Sequence, residues 1–154
     1  MNSFKYFIQF VAVVFLFLIY KLLGLKYSQK LSAVIFRYIG PMFRSKQVII
    51  SNLSKAFPNL GLIEKERIIE KIWSNYGKIF AEYMFIKNLS KTKKIIVENQ
   101  NVLEKIKKHK KPVIFISGHF NNFELMAMEI QKSGIDLAAI YRPLNNKFLN
   151  PIME

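Results

Sequence analysis

The chain has 154 residues, a formal net charge of +14 and 51% hydrophobic residues. That length allows one small core. The lack of cysteine excludes a disulfide framework and thiolate metal ligation. His109 and His119 are the only histidines and follow no zinc-ligand spacing, so no metal or other cofactor is expected.

The charge implies an anionic partner. Arginine, the usual base reader, occurs only at Arg37, Arg44, Arg67 and Arg142. No helix-turn-helix, zinc-finger or RNA-binding signature accompanies the lysines. The high apolar content favours a membrane over nucleic acid.

The first element is FKYFIQFVAVVFLFLIYKLLGLK, Phe4 to Lys26. As a helix, Tyr6 to Leu25 spans about 30 Å, the hydrocarbon thickness of a bilayer. Lys21 can snorkel, and Tyr6 and Tyr20 suit the interfacial belt. Residues 1–26 are therefore expected to be a single-pass anchor. The basic excess at Lys21, Lys26 and Lys30 favours a cytoplasmic remainder.

Residues 27–90 read as helical. SQKLSAVIFRYIG begins at a cap-like Ser28 and breaks at Gly40-Pro41. A second helix over RSKQVIISNLSKAF stops at Phe57-Pro58-Asn59. A third, amphipathic from about 62 to 87, presents Ile68, Ile72, Trp73, Tyr76, Ile79, Phe80 and Tyr83 on one face. Glu64 and Glu66 near its start and Lys87 near its end complement the helix dipole.

Residues 91–154 read as α/β. KIIVEN, KPVIFISG and IDLAAIYRP have strand composition; NVLEKIKKH and NNFELMAMEIQKSG have helix periodicity. The β-α-β-α-β order predicts a parallel or mixed sheet with flanking helices. The lysine clusters SKTKK and KIKKHKK read as solvated faces, with collective attraction to acidic lipid of about 1 kcal/mol per lysine.

In this frame ISGHFNNFELM places His119 at the carboxyl end of a strand, just before a helix, where open α/β sheets bind ligands. Gly118 permits a tight turn, and Asn121 or Asn122 can cap the helix and direct its free N–H groups at the same space. Two readings compete. Asn121-x-x-Glu124 fits a capping box, which makes Glu124 structural. Alternatively, His119 takes a proton from a hydroxyl while Glu124 holds its ring. Ser117 lacks a nucleophile-elbow pattern, so direct attack by an acceptor hydroxyl is favoured over an acyl-serine. Arg142 falls at the end of the next expected strand, on the same edge, and its planar fork suits a phosphate.

ISGHFNNFELM resembles the H-x4-(D/E) block of the bacterial lipid A biosynthesis acyltransferases, the lauroyl/myristoyl transferase family. The apolar N-terminal segment, the NLSKAFPNL stretch with its following helix, and IYRPLNNKFL are similar to other blocks of that family in order and spacing. The resemblance implies a glycerolipid-acyltransferase-like enzyme at the cytoplasmic face of the cell inner membrane. It would move a fatty acyl chain from acyl carrier protein to a hydroxyl of a lipid A precursor in lipopolysaccharide biosynthesis. His119 would be the general base and Glu124 its partner. Arg142, Asn122 and Gly118 would bind substrate. The resemblance covers nearly all of this chain but about the N-terminal half of the family pattern. A fragment is therefore expected, inactive or weakly stable alone and completed by a second polypeptide. The alternative is a non-catalytic basic membrane protein that binds anionic lipid.

Overall fold

A computed structural model describes residues 2–89, 91–92, 95–140 and 142–153. Lys93 and Lys94 of the first lysine cluster, and Tyr141 of the third expected strand, lie outside the described residues. Seven helices occur among the described residues: α1 (Asn2–Phe43), α2 (Lys46–Ala56), α3 (Leu62–Tyr83), α4 (Ile86–Leu89), α5 (Gln100–His109), α6 (Glu124–Lys132) and α7 (Asn150–Met153). The chain divides into two compact units: Val13–Met84, and Met1–Ala12 with Phe85–Glu154.

α1 is long and apolar enough to cross a membrane by length and composition. Along it Phe4, Phe15, Leu18 and Leu22 are exposed. α1 is interrupted at Gly24, whose backbone (φ 73°, ψ 167°) is non-helical. Only glycine adopts that conformation readily. The break deprives nearby carbonyls of helical donors. Ser28 Oγ answers it, donating to the carbonyls of Tyr20 (2.9 Å) and Gly24 (2.7 Å). Ser28 thus closes the segment before it, a correction to its reading as the start of a new helix. The break expected at Gly40-Pro41 is also absent. Pro41 sits inside the last turn of α1, where it removes one hydrogen bond, and the helix ends at Phe43.

In the Val13–Met84 unit, α3 packs on α1 through small residues. A side-chain carbon on Gly77 would fall 2.3 Å from the Ser32 carbonyl oxygen, so the two backbones touch. Ser28, Ser32, Ala33, Ile69 and Ala81 are buried alongside. The aromatic ring of Phe80 meets Phe17 and Phe36 at 5.2 Å each and Tyr20 at 6.4 Å. Gln29 Nε2 donates to Glu82 Oε1 at 2.7 Å. The buried stripe of α3 is Ile69, Gly77 and Ala81, whereas Tyr76 of the expected face is exposed. Small residues permit the closer approach, so they occupy the centre and larger ones flank it.

In the other unit no strand and no sheet forms among the described residues, which overturns the α/β fold expected from the pattern. The segments 95–97, 111–118 and 135–140 carry the expected β-branched residues but are neither paired nor covered. Ile96, Ile114 and Ile116 are 84%, 87% and 91% exposed. A parallel strand is stabilised by burial on both faces and by a ladder on both edges. β-propensity supplies neither. Instead, 111–115 and 135–138 line a cavity of about 420 Å³ with Ile106 of α5. α5 begins after Asn99 and ends before Lys110, both left-handed. α6 ends at Lys132, and Gly134 (φ 80°) turns the chain out of it.

Candidate functional site

The turn that carries His119 is local. The Phe120 N–H donates to the Gly118 carbonyl at 2.8 Å, a γ-turn with His119 at its centre. Asn121 follows in the left-handed region (φ 48°), and α6 starts at Glu124 with Phe123 in the N-cap position. The first turn closes through Leu125 N–H to Asn122 O (3.2 Å) and Met126 N–H to Phe123 O (3.1 Å). Asn122 is buried. Gly118 keeps an ordinary backbone hand, and a side chain there would meet only the exposed Phe120 ring. Room for the Phe120 ring, not dihedral freedom, is what this glycine contributes.

His119 is exposed and its ring lies flat against Phe123, with centroids 4.3 Å apart and planes at 22°. Glu124 is half-buried, and among the described residues no contact of ion-pair length joins it to His119. The structure brings the two residues into one short turn without pairing them. Arg142 is exposed and makes no ion pair with a described residue. Its expected place on a shared sheet edge with His119 falls with the sheet, so its nearness to the histidine has no support from topology.

Two features escaped the pattern. The first is an apolar cavity of about 450 Å³ between 95–99, α5 and α6, lined by Ile95, Val102, Leu103, Phe115, Leu125, Met126 and Ile130, with Glu129 at its wall. It lies within the size range of small-molecule sites. α6 therefore has its N-terminal turn at the imidazole and its flank at an apolar cavity. The period of Leu125, Met126, Glu129 and Ile130 marks the flank as inward, but only packing reveals an unfilled space.

The second is Asn146, which is 6% exposed. Its Nδ2 donates to the Tyr6 carbonyl at 2.9 Å and to Gln9 Oε1 at 3.3 Å. Its Oδ1 accepts from the Phe148 N–H at 3.1 Å. Phe148 then stands edge-on to Phe7 at 6.0 Å and tilted against Phe10 at 6.1 Å. The block after Arg142 is thus fastened to the first turns of α1. An asparagine pair, Asn145-Asn146, reads locally as a turn; its long-range partner left no trace in spacing.

A membrane-length helix, an apolar cavity along α6 and an exposed imidazole on the turn before that helix suit a protein that handles a long-chain, lipid-like substrate. The chain belongs to the bacterial lipid A biosynthesis acyltransferase family, whose sequence pattern residues 1–153 match. Its role is therefore that of an acyltransferase in lipid A synthesis. No curated protein matches the chain, and no solved structure does.

Proposed function

We propose that the chain transfers a fatty acyl group from the thioester of acyl carrier protein to a hydroxyl of a lipid A precursor, at the cytoplasmic face of the inner membrane, with His119 as general base. The observation that carries this reading is family membership over residues 1–153 together with an exposed His119 on the turn that leads into α6, a helix that lines the apolar cavity. The acceptor oxygen attacks the thioester carbonyl carbon while its proton passes to His119. The tetrahedral intermediate then collapses, the C–S bond breaks, and the leaving sulfur takes the proton back from the imidazolium. Glu124 stabilises that imidazolium, which requires the ring to swing off Phe123. Catalytic hydrogen bonds are commonly loose before substrate binds. The acyl chain lies in the cavity beside α6. Arg142 pairs with a phosphate of the acceptor or the donor, and Gly118 and Asn122 shape the approach to the imidazole. Residues 1–26 hold the remainder, 27–154, at the membrane surface.

The test is transfer of labelled acyl chains from acyl carrier protein to lipid A precursor by the full chain in detergent. His119→Ala lowers the rate by about 10²–10⁴-fold, with helix content by circular dichroism unchanged. A variant as active as the parent removes His119 from the chemistry.

A further inference from the structure

A second cavity, of about 230 Å³, lies in the Val13–Met84 unit, and none of its lining residues takes part in the proposed transfer chemistry. Its walls carry Arg37 and Arg44 from the α1 end, Lys46 of α2, and Glu66, Glu70 and Trp73 of α3. Lys46 and Glu66 neutralise one another at 2.6 Å. Arg37, Arg44 and Glu70 make no ion pair with a described residue. Two guanidinium groups and one carboxylate, none paired with another described residue, therefore line a shared space. Both signs of charge line one concave space, which suits a ligand that carries both.

The surroundings say what kind of molecule. Tyr38, Met42 and Phe43, on the same last turns of α1, are 79%, 84% and 76% exposed. Apolar side chains and a tyrosine beside a charged cavity are the signature of a membrane–water interface. Planar guanidinium forks recognise phosphate oxygens in pairs. A carboxylate accepts hydrogen bonds from a primary ammonium and gains less from a quaternary one, which has no N–H. The volume equals roughly eight waters at about 30 Å³ each, room for a phosphate and a two-carbon amine.

We propose that this cavity binds the headgroup of a zwitterionic phospholipid, its phosphate on Arg37 and Arg44 and its primary ammonium on Glu70. The site sets the depth and rotation of α1 and α3 against the bilayer. It needs no contribution from His119.

Trp73 is the only tryptophan in the chain and lines the cavity, so it reports occupancy directly. The full chain in neutral detergent micelles is titrated with phosphatidylethanolamine, phosphatidylglycerol, phosphatidylcholine or inorganic phosphate while Trp73 emission is followed. The expected result is a saturable change with phosphatidylethanolamine at lower mole fraction than with the other two lipids. Arg37→Gln with Arg44→Gln weakens it at least tenfold, and Glu70→Gln removes the preference for the primary amine. All three residues are exposed, and circular dichroism verifies that the variants keep their helices; the selectivity of the parent chain decides the matter even without them. No saturable change, equal response to all three lipids, or saturation by inorganic phosphate alone overturns the proposal. The last outcome identifies a free-anion site instead.

Discussion

Replacing Gly77 by alanine tests the backbone-to-backbone contact of α1 and α3. An alanine Cβ would stand 2.3 Å from the Ser32 carbonyl oxygen, 2.7 Å from its carbon and 2.9 Å from the Ala33 Cα. All three are backbone atoms, so no rotamer change relieves them, and α1 and α3 must separate by about 1 Å to reach ordinary contact. A gap of that size forfeits up to about half of the dispersion energy across the interface. The three ring pairs of Phe80 are worth about 0.5–1.5 kcal/mol each, so their loosening costs about 1–2 kcal/mol. Residual overpacking adds about 1–3 kcal/mol. Against this, alanine gains about 1 kcal/mol of helix propensity over glycine. Crowding wins by about 2 kcal/mol. Thermal melting in detergent, followed by circular dichroism, should show Tm lowered by roughly 10 °C for a unit of this size. Gly61→Ala is the steric control: its Cβ meets nothing nearer than Glu64 Oε2 at 4.0 Å, so only the poorer N-cap of α3 is felt, about 0.5–1 kcal/mol, and Tm should fall by less than half as much. A Gly77→Ala protein as stable as the parent would refute the close-approach account.

Gly24→Ala meets no atom within 4 Å, so any loss reports backbone strain alone; about 1–3 kcal/mol is expected, and an unchanged Tm would contradict it. Asn146→Ala strips the Tyr6 carbonyl and the Phe148 N–H of a buried partner and costs about 1–3 kcal/mol, read as faster amide exchange at Phe148; unaltered exchange would count against the tether. Phe123→Leu removes the ring stacked on His119, so the imidazole proton resonances should move downfield in NMR spectra; if they stay, the stack does not persist in solution.

The helices were legible where period and punctuation agree. α3 announces itself by its amphipathic repeat and its Glu64-rich start, α5 by its basic last turn, α6 by its exit at Gly134. The interruption of α1 was not. Leu22, Leu23 and Leu25 continue the apolar pattern without a seam, and Gly24 in such a run reads as a tolerated helix residue. The inward face of α3 was misread for a related reason. Hydrophobic periodicity weighs large residues, while the contact selects Gly77 and Ala81 for smallness. The sheet failed at a different point. Residues 112–118 have every local property of a buried strand, but burial and pairing are supplied by other segments, and a local pattern cannot say whether they arrive. Of the site, His119 and Glu124 fall near one turn because they are close in the chain, and their expected pairing is not formed. The sequence could not foresee the Phe123 stack, the cavity along α6, or the long reach of Asn146.

That reach has a practical meaning. The opening residues of α1 are part of the folded body that carries the proposed chemistry, since Tyr6, Phe7, Gln9 and Phe10 seat Asn146 and Phe148. Trimming the hydrophobic leader to gain a water-soluble enzyme would do more than release it from lipid. It would pull the dowel from the joint that positions Arg142's loop, so solubility is better sought by choice of amphiphile than by deletion.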